Sequence, residues 1–256
     1  MALLKAAATK TGGKMMSWHL FVVFFMSTFF ISATPGPNML LAFQYGLNYG
    51  VKRTLWTLAG LSLGLFILLI STLLGLDVIS RQSPWILTLI KAIGGLYLLY
   101  LGISAWRHAT ANGSLMDDAK LLSAEVAASY PDKPLDSPAP RSLSSAAVTL
   151  APSNFVLFRT GVWVALSNPK AILFFAAFFP KFINFSRPLW AQYVVLTLAL
   201  YLSETIWQLI YTIGGKKLSG WLDVGQRLAW LNRGCGVIFI VIAIALLIEV
   251  TNSFLA

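Results

Sequence analysis

The sequence predicts an all-α integral membrane protein of six transmembrane helices, arranged as two inverted three-helix repeats with broken helices at Pro35–Pro37 and Asn168–Pro169. Three observations lead there. Of the 256 residues, 57% are hydrophobic and 11% charged, with a mean hydropathy of +0.75; a soluble domain carries roughly 25% charge. Six charge-poor runs match the thickness of a bilayer. The second half of the chain then repeats features of the first.

Taken in order, residues 1–16 carry three lysines and no acid, and read as a basic, disordered tail. The alternative is the n-region of a cleaved signal, but the apolar character continues past Pro37, where a soluble mature domain would begin. From Met15 to Val51 there are 37 residues without Lys, Arg, Asp or Glu. As one helix that run would be about 55 Å long, against a hydrocarbon core of about 30 Å. Pro35, Gly36 and Pro37 interrupt it. Span two is Leu55–Leu76, and span three is Pro84–Trp106 with Lys91 inside. Span four runs from about Phe158 to Pro180 with Lys170, span five from Leu189 to Thr212 with Glu204, and span six from about Leu231 to Val250. Each is long enough to cross as a helix, the open-ended structure that lipid tolerates. The first repeat is residues 17–107 and the second 155–256. Residues 108–154, rich in Ala, Ser and Pro, read as a flexible polar linker with no packed core.

The repeat is visible as aligned residues. A shift of 134 lays Pro35 on Pro169 and "KRTLW" (52–56) on "SRPLW" (186–190). A shift of 142 lays "KAIGGLYLL" (91–99) on "RGCGVIFIV" (233–241). Three spans per copy is an odd number, so the second copy lies upside down.

Charge gives orientation and excludes some functions. The net charge of +10 is explained by loops and an anionic lipid surface, so nucleic acid is not expected as a partner. Eleven Lys and Arg side chains fall on the side of the linker, against Arg81, Lys181 and Arg187 on the other, or six with the tail. By the positive-inside rule the linker is cytoplasmic. The single cysteine, Cys235, excludes an internal disulfide, and His19 and His108 lack metal-ligand spacing. No metal or cofactor is expected.

The two breaks carry the expected chemistry. Proline removes a backbone donor and disfavours helix at the residue before it. The freed backbone groups cannot face lipid, so they face protein or a wet cavity. Pro35, Gly36, Pro37 and Asn38 in one half, and Asn168, Pro169 and Lys170 in the other, are the candidate substrate-binding residues. Lys170 lies near the centre of its span, where an ammonium costs about 2.5–3.5 kcal/mol on insertion scales. Glu204 reads as the one acid deep in the bilayer, and the candidate for proton coupling or for binding an ammonium group. The bland reading is a Lys170–Glu204 structural pair. The sharper one is a site for a zwitterion, with Lys170 and the amides opening its half-helix meeting a carboxylate.

One enzyme motif occurs: "GLSLG" (60–64) fits G-x-S-x-G. It lies within a helix rather than on a strand-to-helix elbow, and Ser62 has no base beside it. Gly60 and Gly64 read better as a small-residue packing stripe, as do Ala42, Gly46 and Gly50. An intramembrane hydrolase is therefore the weaker alternative, and no enzyme is expected.

Together, "TPGPNMLLAFQYGLNYG", "ALSNPKAILFFAAFFPKFI" and "LNRGCGVIFIVIAIALL" resemble the LysE/RhtB family of amino-acid exporters. The resemblance covers roughly residues 17–107 and 153–250. It implies secondary active export of amino acids or close derivatives across a bacterial inner membrane, coupled to proton entry as an antiport by alternating access. The substrate, protons and lipids are then the partners, and a homodimer is left open. A different small solute or a metal ion on the same scaffold is the rival within the same class; which amino acid moves is not written in the sequence.

Overall fold

Among the described residues, 18–82, 84–108, 115–129, 152–184, 187–223 and 227–255, all regular structure in this computed structural model is helical. The basic tail and parts of the linker lie outside them. Helix α1 (Trp18–Ala33) stops before the first proline pair; Thr34 to Gly36 are not helical, and Pro37 opens α2 (Pro37–Gln82). Proline suits a first helical position because its missing N–H would have had no partner there. Within α2, Gly50 takes φ 75° and ψ 165°, which divides a short arm from a long span. That conformation suits glycine alone, and a Cβ at Gly50 would meet nothing within 4 Å. Gly50 is thus a bend, and not the packing glycine expected from its spacing.

The remaining elements are α3 (Pro84–His108), α4 (Leu115–Ser129), α5 (Asn154–Leu166), α6 (Pro169–Leu173), α7 (Leu189–Asp223) and α8 (Arg227–Leu255). Helix α6 runs on through a π turn at Phe174–Phe178 and a 3-10 turn at Phe179–Phe182. Helices α2, α3, α7 and α8 contain stretches long and apolar enough to cross a membrane. Helix α5 and the α6 segment, bent by 50° at Ser167 and Asn168, are long and apolar enough for a fifth only when taken together. Helix α1, with 16 residues, is about 24 Å long and falls short alone. The chain is therefore a multi-pass membrane protein with four or five apolar spans, where six self-sufficient ones were expected. The reason is the breaks themselves: they divide the first and fourth runs into pieces too short to span singly.

Packing joins the two halves. Helix α1 lies against α7, α5 against α2, and α3 against α8. Glycines set the closest approaches. A Cβ on Gly161 of α5 would strike the backbone of α2 at Thr57 and come within 2.8 Å of the Leu61 amide. Gly64 faces the Val162 carbonyl in the same way, at 2.7 Å from its would-be Cβ. Phe24 of α1 stacks among Phe178, Phe179 and Phe182, with ring centroids 5.0–6.1 Å apart. These rings tie the first helix to the end of the broken segment.

Two features were not expected. The 108–154 stretch is not structureless throughout, because α4 forms inside it and packs on α2 and α7. Leu115, Ala119 and Val126 are buried there, at helical spacing, and Asp117 and Asp118 occupy the first turn. The second is an ion pair: Glu249, near the end of α8, meets Lys91 of α3 at 2.5 Å.

Candidate substrate site at the two helix breaks

Ending α1 early leaves its last carbonyls without helical donors. Side chains from the second half supply them. Lys170 Nζ donates to the Ile31 carbonyl at 2.6 Å and to the Thr34 carbonyl at 3.3 Å. Tyr211 donates its hydroxyl to the Ala33 carbonyl at 2.9 Å, and Cys235 Sγ donates to the Phe30 carbonyl at 3.1 Å. A cation at a helix C-terminus also meets the negative end of its dipole. Lys170 is therefore neither snorkelling nor paired with Glu204; among the described residues no ion pair joins the two.

The second break is closed by its own residue. Asn168, buried, accepts at Oδ1 from the amides of Lys170 (3.1 Å) and Ala171 (3.4 Å). Its Nδ2 donates to Asn38 Oδ1 at 3.0 Å, which links the two breaks directly. The amides opening α6 are thus occupied, contrary to the expectation that they would face a substrate carboxylate.

At the first break the equivalent position is Gly36, which has no side chain. Among the described residues nothing caps the amides of Asn38 and Met39. A Cβ built on Gly36 would sit 3.5 Å from Lys170 Cδ and 3.8 Å from Lys170 Nζ. An open helix N-terminus therefore faces an ammonium group across a small gap. Helix N-termini attract anions through exactly such free amides and the dipole behind them.

Both breaks open on one cavity, with about 450 Å³ of free space that runs into the outside. Gly36, Asn38, Asn168, Lys170 and Glu204 all line it. Pro35, Pro37 and Pro169 do not; they shape the backbone around it. In the cavity lining, Glu204 Oε1 accepts from Ser32 Oγ at 2.7 Å, and Gln208 Nε2 reaches Oε2 at 3.5 Å. Thr28 Oγ1, one turn before Ser32, is buried without a partner. Buried hydroxyls are almost always satisfied, so an unsatisfied one lining a cavity marks room for a polar guest or water. Apolar side chains line it too, among them Met39, Leu65, Phe174, Phe175 and Leu200.

Ser32, Thr28, Gln208 and Tyr211 were not singled out from sequence. The signal for two of them was present: Thr28 and Ser32 lie four apart in an otherwise apolar helix, so they share one face. The hydrolase alternative gains no support. Ser62 sits within α2, its carbonyl accepting from Tyr201 at 2.7 Å, and His19 is exposed on α1.

Lys170 fills two positions at once, which gives a testable expectation. Lys170→Ala takes the side-chain donor from the Thr34 carbonyl and leaves the Ile31 carbonyl with the Thr34 amide alone, at 3.3 Å; a buried acceptor left unsatisfied costs about 1–3 kcal/mol. The protein should unfold at lower temperature in detergent. Lys170→Arg should not restore it, because the planar guanidinium cannot follow the same path past Gly36. Thermal unfolding of the purified variants checks this; unchanged midpoints would show that the carbonyls find other donors.

Comparison with known proteins adds what geometry alone does not. The family model described as LysE type translocator matches residues 29–250. The chain is 24% identical over 227 residues to the homoserine/homoserine lactone efflux protein of Salmonella typhimurium, covering 89% of this chain and 95% of that one. It is 27% identical over 222 residues to the leucine efflux protein of Enterobacter sp. strain 638, covering 86% and 91%. An uncharacterized membrane protein of Vibrio cholerae is 28% identical over 230 residues, covering 87% and 97%. No solved structure matches. The family is one of translocators and not of enzymes, and since its model spans most of the sequence, this chain belongs to the LysE type translocator family.

Proposed function

We propose that the protein exports amino acids or close derivatives across the bacterial inner membrane, in exchange for protons, by alternating access. One observation carries the reading. A single cavity between two helix breaks is lined by a cation beside open amides and by a carboxylate with hydroxyls. An α-amino acid bears the complementary pair of charges. Its carboxylate would meet Lys170 and the amides of Asn38 and Met39; its ammonium group would meet Glu204, Ser32 and Thr28. The apolar walls between them fit a neutral side chain better than a charged one, because a second buried charge would need its own partner.

The names of the relatives, homoserine/homoserine lactone efflux and leucine efflux, support amino acids as the class. Alternating access is supported by the exchange of partners between the halves: α1 rests on α7 while α5 rests on α2. Such reciprocal packing is what an inverted repeat of three spans each would give. The decisive measurement is efflux of preloaded, labelled amino acids from cells with and without the protein. A neutral amino acid should leave faster with the protein present. If the whole panel leaves at the same rate either way, the cargo is of another class.

Orientation follows from charge. The linker is proposed to be cytoplasmic, because most basic loop residues lie on its side. A cysteine introduced at Ser137, on a Cys235→Ser background, should resist membrane-impermeant thiol reagents in intact cells and react after lysis. Labelling before lysis would invert the assignment.

A further inference from the structure

Helices α3 and α8 run antiparallel and touch closely: a Cβ on Gly102 would lie 2.8 Å from the Gly236 carbonyl. Their two ends differ in charge. At one end Lys91 meets Glu249 at 2.5 Å, a cation with its anion. The internal alignment that lays Lys91 on Arg233 also lays Arg107 on Glu249, at the same shift of 142. At the linker-side end, then, the position matching the acid holds no carboxylate to meet Arg233.

Arg233 is well placed for an anion. Its guanidinium lies 5.4 Å from the Trp230 ring centre and 6.0 Å from that of Trp106. The indoles hold it over their faces but supply no counter-charge. Its Nε, a donor, is buried without a hydrogen-bond partner. Among the described residues no ion pair involves Arg233. Trp106 and Trp230 are exposed, as tryptophans at the level of lipid headgroups are.

We propose that the linker-side ends of α3 and α8 form a binding site for a phosphate group, that of an anionic phospholipid headgroup, centred on Arg233. The guanidinium fork matches two phosphate oxygens at once, which an ammonium cannot do. The acyl chains would lie along the exposed apolar faces of the same helices, and the indoles would flank the glycerol level. Basic pockets between transmembrane helices bind anionic headgroups in this manner. The site lies apart from the cavity at the breaks and does not depend on the transport reading.

The test uses the full chain purified in detergent, with added phosphatidylglycerol, phosphatidylcholine of the same acyl chains, or inorganic phosphate. Thermal unfolding and native mass spectrometry read the outcome. Phosphatidylglycerol should bind more tightly than phosphatidylcholine, by roughly fivefold for the one arginine engaged. Arg233→Gln should lose that preference, while Lys217→Gln, at an exposed basic position on the same side, should keep it. Equal losses in the two variants would mean diffuse attraction to charge and overturn the site. If millimolar inorganic phosphate displaces the lipid, the phosphate site stands and the lipid source is overturned. Should Arg233→Gln fail to fold, the unmodified protein decides: no phosphatidylglycerol retained above phosphatidylcholine in its mass spectrum defeats the proposal.

Discussion

Replacing Glu204 by glutamine should abolish proton-coupled efflux while leaving a folded, inserted protein. The two halves of that expectation have separate physical grounds. Folding survives because glutamine keeps the shape, and its carbonyl oxygen can still accept from Ser32 Oγ, now 2.7 Å from the carboxylate. Gln208, 3.5 Å away one turn further along α7, can rotate its amide to present oxygen instead of nitrogen. Transport fails because the amide has one state where the carboxylate has two. Holding a bare carboxylate away from water is costly unless a cation stands beside it. The ammonium group of a bound amino acid is such a cation, and a proton can take its place when the substrate leaves. Exchange of one for the other is what an antiporter requires, and a glutamine cannot perform it. Efflux from loaded vesicles under an imposed pH gradient should fall to the level of empty vesicles, with thermal stability close to that of the parent. Normal efflux with unchanged pH dependence would make Glu204 structural and locate the coupling group elsewhere.

How much of this was legible beforehand follows from which signals are local. Proline acts on its own backbone, so Pro35, Pro37 and Pro169 marked interruptions without any knowledge of their neighbours; that Pro37 and Pro169 open the next helices came from the structure. Lys170 and Glu204 were conspicuous because a charge in an apolar run is expensive wherever the helix ends up. What those charges touch depends on packing, and there sequence reasoning could only offer alternatives, a structural pair or a zwitterion site. Lys170 meets the carbonyls that end α1, 136 and 139 residues away, rather than Glu204. The linker helix α4 was hidden for a different reason. Its stripe of Leu115, Ala119 and Val126 is short and its flanks are polar, so average composition outweighed its period. Glu249 was overlooked because it lies near the end of the last span, where an acid can be assigned to water. Only its partner, Lys91, reveals otherwise.

The asymmetry between the breaks leads to the last prediction. Asn168 caps the second half-helix with its own side chain, and Gly36 leaves the first open. If the open amides of Asn38 and Met39 receive the substrate carboxylate beside Lys170, a carboxylate built into position 36 should occupy the same place permanently. Gly36→Asp supplies one. The backbone there is not in the left-handed region that demands glycine, and the nearest atom to a new Cβ is Lys170 Cδ at 3.5 Å, an ordinary contact. Aspartate is among the best N-cap residues, better than glycine by a few tenths of a kcal/mol. The nearby ammonium, 3.8 Å from the new Cβ, would add a charge-assisted bond. The variant should therefore melt at a higher temperature than the parent yet export little, because its tethered carboxylate excludes the mobile one. Opposite changes in stability and transport are hard to obtain from a merely disruptive substitution, which lowers both. Gly36→Ala separates the effect of bulk from that of charge: it adds the Cβ without the carboxylate and should retain most of its efflux. If Gly36→Asp transports as well as Gly36→Ala, the substrate carboxylate binds somewhere other than the opening of α2.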